Sequence, residues 1–246
     1  LNNNKQNAKP KSFHLSSYFT VKLHCKIQVT KFQNVNCCQL NIPIFFVVKK
    51  IIGGFMTHST YVELLQPSTK IRSIFYNIAL VFVGSVLLTL SAKTSVLLPI
   101  SPVPITLQTL VVLLLGTLFG SKRGAATVLA YIAEGAIGMP VFAKGGSGVA
   151  YLLGPTGGYL LGFVLAAFIV GYLAERGWDR SFTKTAISML IASLSIYLLG
   201  INWLAHFVGG ISKAIQVGFV PFVVGDLVKI ALAVGILPTG WKLLKK

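Results

Sequence analysis

Phe219 to Leu237 reads FVPFVVGDLVKIALAVGIL. At 1.5 Å per residue, a helix of this length nearly spans a bilayer's hydrocarbon core of about 30 Å. Asp226 and Lys229 interrupt the apolar run three residues apart, and residues at i and i+3 share a helix face. A charge at membrane depth is costly; it usually turns toward the protein interior or a cavity and marks a functional position. The competing reading is a self-neutralising pair that fixes helix packing. Buried ion pairs stabilise poorly compared with apolar residues of similar volume, which favours a ligand role. The carboxylate would accept from N–H donors and the ammonium would attract a carboxylate; the residues alone leave open which group meets which.

The surrounding composition fits a membrane setting. Of 246 residues, 54% are hydrophobic and 11% charged, with a mean hydropathy of +0.76; soluble domains carry about 25% charged residues. The net charge of +17 would suggest nucleic acid in a soluble protein. Here it lies in loops and in an atypical N-terminal segment, so no nucleic-acid partner is expected.

Residues 1–55 hold eight lysines, all three cysteines (Cys25, Cys37, Cys38) and no acid. They lack helical or strand periodicity, and the apolar run Ile42 to Val48 is too short to span a bilayer. The order of features is wrong for a signal peptide. We expect this segment to be a disordered extension or translated upstream sequence, with Met56 as the natural start in the latter case and residues 56–246 as the membrane domain. The cysteines have no metal-ligand spacing and imply neither a disulfide framework nor a zinc site.

Six apolar runs follow: about 73–92, 105–119, 125–137, 159–174, 186–207 and the stretch quoted above. They predict an all-α, six-helix membrane bundle in which the third run is the least certain span. Gly120-Ser121-Lys122-Arg123-Gly124 reads as a tight polar turn. Six helices place ten Lys and Arg (70, 72, 122, 123, 176, 180, 184, 242, 245, 246) on one side and Lys93, Lys144 and Lys213 on the other. Cytoplasmic flanks are the Lys/Arg-rich ones, so both termini are expected in the cytoplasm.

The connections on the opposite, outer side are irregular. One carries Pro99, Pro102 and Pro104, which interrupt helices; the next carries six glycines between Gly145 and Gly158. Irregular backbone at membrane depth is tolerated where it is buried or lines a cavity. Both loops are therefore candidates to cover an outward-opening pocket, with Asp226 roughly 10 Å into the last helix. Tyr151, Tyr159 and Trp203 could stack on a ligand ring, although aromatic residues also gather at membrane interfaces. Glu134 could carry a proton, contact ligand or sit at the interface. His206 is more simply a packed or interfacial residue than a catalytic one. Gly116 to Gly124 fails the phosphate-loop spacing, and the glycines after Gly145 lack a dinucleotide fingerprint. No cofactor is expected, and uphill transport would draw energy from another subunit or an ion gradient.

Five segments in order carry a resemblance: SPVPITLQTL (Ser101 to Leu110), GAIGMPVFAKGG (Gly135 to Gly146), LLGPTGGYLLGF (Leu152 to Phe163), YLLGINWL (Tyr197 to Leu204) and FVPFVVGDLVK (Phe219 to Lys229). Together they resemble the BioY family, the biotin-specific substrate-binding (S) components of energy-coupling factor (ECF) transporters, over about Arg72 to Lys246. The resemblance implies a six-helix subunit in the bacterial plasma membrane that captures biotin from outside. A transmembrane coupling subunit and two cytoplasmic ATPases would then drive uptake, although some family members transport without the full module. It also implies substrate contacts by Asp226 and Lys229, by the loop from Pro102 to Thr109 including Thr106 and Gln108, and by the turn Gly154 to Tyr159 including Gly157 and Tyr159; Trp203, read above as a stacking candidate, is expected to bind substrate with them. One feature departs from the pattern: where such components often carry Ala-x-x-x-Ala in the first helix for docking, this chain has looser small residues such as Ser85 and Thr89. Three alternatives stand beside this reading: an S component for another small vitamin, a non-transporting vitamin sensor, and a membrane-embedded enzyme using Asp226 or His206 as acid/base.

Overall fold

A computed structural model describes residues 60–244, apart from 97, 98 and 100; the expectations for residues 1–55 fall outside the described part. Nine α-helices occur among the described residues: α1 (Tyr61–Leu64), α2 (Lys70–Lys93), α3 (Gln108–Phe119), α4 (Ser121–Ala136), α5 (Val149–Leu152), α6 (Gly157–Ala174), α7 (Phe182–Val208), α8 (Ile211–Gly218) and α9 (Val220–Leu244). Four of them, α2, α6, α7 and α9, are long and apolar enough to cross a membrane. The all-α membrane reading stands. All six predicted apolar runs are largely helical; α3 and α4 are the shorter ones, with 12 and 16 residues.

Two boundaries differ from expectation. The second run does not begin as helix: Ile105–Thr106 (β2) pairs antiparallel with Ser95–Val96 (β1), and α3 starts at Gln108. The prolines at 99, 102 and 104 break the chain, and the short ribbon restores backbone hydrogen bonds that a broken helix would leave open. The polar turn at 120–124 contracts to Gly120, whose φ of +85° lies in the region that favours glycine. Ser121 already opens α4, because the Glu175 carboxylate accepts from the Ser121 N–H and hydroxyl at 2.8 Å each. That carboxylate satisfies a donor at the helix N-terminus and complements its positive dipole end.

Helix α6 packs against α3, α4 and α7. Seven of its buried residues are small: Gly157, Gly158, Gly162, Ala166, Ala167, Gly171 and Ala174. In lipid the hydrophobic effect does little to drive helix association, so close approach through small residues supplies the packing. At Gly162 an added Cβ would lie 2.8 Å from the Ile196 backbone of α7, so glycine sets that interhelical distance. Helix α9 buries Phe222, Asp226, Lys229, Ile230, Ala233 and Leu237 along one stripe and exposes Val224, Leu227, Val228 and Leu232 on the other. The helical period therefore turns the ion pair inward and leaves aliphatic side chains toward lipid.

Candidate functional site

The α9 stripe faces a small cavity of about 60 Å³. Asp226 and Lys229 stand on its wall, each only 8% exposed. Lys229 Nζ donates to Asp226 Oδ1 at 2.9 Å, to Thr109 Oγ1 at 2.9 Å and to the Thr106 carbonyl at 2.7 Å. Those three bonds use all three ammonium protons. Asp226 Oδ1 also accepts from the Thr109 hydroxyl at 3.2 Å, while Oδ2 accepts from the Tyr197 hydroxyl. The pair is thus fully bonded, and it ties α9 to β2, α3 and α7. Such satisfaction is what makes a buried ion pair tolerable.

The rest of the lining is mainly aromatic and apolar. Tyr131, Phe142, Tyr151, Tyr159, Phe163, Tyr197 and Phe222 contribute rings. Phe142 stacks on Tyr151 with centroids 4.9 Å apart and meets Tyr131 edge-on at 5.5 Å, geometries favoured by the ring quadrupole. Burial raises the Tyr151 phenol above its ordinary pKa, so it remains a donor well above neutral pH. Gln108 Nε2 donates to the Tyr131 hydroxyl at 2.8 Å, which donates in turn to the Val141 carbonyl at 3.1 Å. The Tyr159 hydroxyl donates to the Gly218 carbonyl at 2.9 Å.

Of the residues singled out from the sequence, Thr106, Gln108, Tyr151, Tyr159, Asp226 and Lys229 line this one cavity. Gly157 and Trp203 do not. Trp203 Nε1 donates to the Gly154 carbonyl at 2.9 Å, and its side chain packs where a Cβ on Gly158 would come within 2.3 Å. It supports the Gly154–Tyr159 turn from behind. His206 is exposed, with Nδ1 3.0 Å from the Asn202 carbonyl, and Glu134 bonds Ser85 between α4 and α2; neither touches the cavity. Tyr197, Tyr131, Phe163 and Phe222 line the cavity but were not selected from the sequence. A signal was available for Tyr197, since a phenol inside an apolar helix needs a hydrogen-bond partner. Among the described residues no group of three His, Cys, Asp or Glu could hold a metal ion.

An all-helical membrane protein with an aromatic-walled cavity around a bonded acid–base pair is, by class, a membrane-embedded binder of a small polar molecule. Residues 59–246 match the BioY family, and the chain belongs to that family. It is 46% identical over 136 residues to the biotin transporter BioY of Thermotoga maritima, covering 55% of this chain and 79% of that one. It is 45% identical over 157 residues to the probable biotin transporter BioY of Pyrococcus horikoshii, covering 64% and 91%. Its fold matches a 2.1 Å crystal structure of the S-component for biotin from an ECF-type ABC transporter, with a TM-score of 0.62 and 24% identity over 73% of this chain and 96% of that one.

Proposed function

We propose that this protein is the substrate-binding subunit of a biotin uptake system. The observation that carries the reading is the Asp226–Lys229 pair, held by Thr106, Thr109 and Tyr197 on the wall of an aromatic cavity. Biotin offers a cyclic urea, with two N–H donors and one carbonyl acceptor, and a carboxylate on a flexible chain. The pair is close to neutral as a unit. Bringing a second carboxylate against it would bury uncompensated negative charge, whereas a neutral urea exchanges hydrogen bonds at little electrostatic cost. The urea therefore belongs at the pair, its N–H groups donating to Asp226 and its carbonyl accepting a Lys229 proton in exchange for the bond to Thr109 or to the Thr106 carbonyl. The aromatic rings pack the bicyclic body, and the carboxylate points to the cavity mouth. These roles extend to Thr106, Gln108 and Tyr159 as lining contacts, and to Gly157 and Trp203 as supports of the turn.

The Lys/Arg asymmetry, ten against three, supports a plasma-membrane orientation with both termini cytoplasmic and the cavity mouth outward. The chain carries no phosphate-loop motif, so uptake would be driven by an ECF module: a transmembrane coupling subunit and two ATPases. Radiolabelled biotin uptake in a biotin-requiring host, with and without the coupling subunits, tests this. Uptake dependent on the chain is the expected result; growth and uptake indistinguishable from the empty host would overturn it.

A further inference from the structure

At the basic end of the bundle a shallow groove opens sideways between α2 and α4. It is lined by Asn77, Ile78 and Val81 of α2 and by Lys122, Arg123 and Ala126 of α4. It shares no lining residue with the cavity around Asp226 and Lys229. Its floor is apolar, and Ile78 is 60% exposed. One end is polar and cationic. Arg123 is half-buried and spends one guanidinium nitrogen on Gln66 Oε1 at 2.7 Å, leaving further N–H donors in its fork. Lys122 is exposed beside it. Asn77 Oδ1 is buried without a hydrogen-bond partner, which is costly for a polar atom in lipid. The amide can equally be turned to present its N–H₂, because its two ends are exchanged by a simple flip.

We infer that this groove is a binding site for one anionic phospholipid, its phosphate held by Lys122, Arg123 and the Asn77 amide and one acyl chain lying over Ile78, Val81 and Ala126. Two cations and an amide donor converge at one end of a lipid-facing apolar channel, which matches the charge pattern of a phospholipid rather than that of a free anion. The depth is consistent. Asn77 lies seven residues into α2, roughly 10 Å along its axis, while Lys70 and Arg72 begin that helix above it. Basic pockets between transmembrane helices on the cytoplasmic side are suited to acidic headgroups. The bland alternative is that Lys122 and Arg123 only flank the interface, as loop cations commonly do. It predicts no preference for an anionic lipid and no lipid bound one per chain.

The test is native mass spectrometry of the purified full chain titrated with phosphatidylglycerol or phosphatidylcholine. One retained phosphatidylglycerol per chain is expected, with phosphatidylcholine retained far less and inorganic phosphate unable to displace the lipid. Lys122→Gln, an exposed change that leaves the packing intact, should weaken retention about fivefold. Asn77→Leu should weaken it while raising thermal stability in neutral detergent, because it removes the unpaired atom. Equal retention of both lipids by the wild-type chain, or unchanged retention in both variants, would overturn the inference. So would a groove that is protected from chemical labelling at Lys122 only when a coupling subunit is present, with no dependence on lipid charge.

Discussion

Lys229 reaches from the last helix to the backbone carbonyl of Thr106, 2.7 Å away and 123 residues earlier in the chain. That bond closes the proline-rich connection onto α9 and makes the ion pair part of the cavity's architecture as well as its chemistry. Structural and binding roles therefore have to be separated by choice of substitution.

Removing one partner leaves the other charge buried and uncompensated. Lys229→Met should lower stability by about 3 to 5 kcal/mol, and Asp226→Leu comparably. The double variant Asp226→Leu/Lys229→Met should recover most of that loss, because an apolar pair of similar volume is often at least as stable. Thermal unfolding of the three variants in one detergent checks this, and biotin binding should not return with stability in the double variant.

Tyr197 touches the pair through its hydroxyl, while its ring meets Phe219 edge-on with centroids 4.8 Å apart. Tyr197→Phe keeps the ring contact and removes the donor. Hydrogen bonds to charged groups contribute about 1.5 to 3 kcal/mol, so biotin affinity should fall about 10- to 100-fold, with helical content unchanged by circular dichroism. Isothermal titration calorimetry reads the affinity.

Gly200 lets the Tyr159 ring lie against α7: a Cβ there would sit 2.4 Å from the ring. Gly200→Ala should push Tyr159 toward the cavity and break its bond to the Gly218 carbonyl. Overpacking of this kind costs about 1 to 3 kcal/mol. The melting temperature and biotin affinity should fall together, and Tyr159→Phe in the same background should restore neither.

Trp203 supports the Gly154–Tyr159 turn without lining the cavity. Trp203→Phe removes its bond to Gly154, and the net effect of one such hydrogen bond is about 1 kcal/mol. Stability should drop by that amount while affinity changes by less than about fivefold. An affinity loss as large as that of Tyr197→Phe would place Trp203 in contact with the ligand.

Much of this site could be read before the fold was known. Charge in a membrane helix is expensive, so Asp226 and Lys229 stood out, and their i, i+3 spacing put them on one face. The prolines and glycines of the two irregular connections located the covering loops for the same physical reason: such backbone needs protein or a cavity around it. The aromatic wall was harder to see. Tyr131, Phe163 and Phe222 look like any ring in an apolar helix, and only the packing of α4, α6 and α9 turns them toward a common space. The start of α4 was misread because the partner of Ser121 is Glu175, 54 residues away, and no local pattern announces such a cap. Trp203 was placed near the ligand by its neighbours in sequence, yet its indole N–H is turned to the back of the turn.

The most direct test is equilibrium binding of radiolabelled biotin to the purified full chain, comparing wild type with Asp226→Asn and Lys229→Met at matched folded fraction. Truncating one member of a buried, hydrogen-bonded charge pair at a binding site costs about 2 to 5 kcal/mol, so each variant should bind at least about 30-fold more weakly. Wild-type affinity in both variants, or a wild-type chain that binds no biotin, would contradict the assignment of the pair as the biotin site.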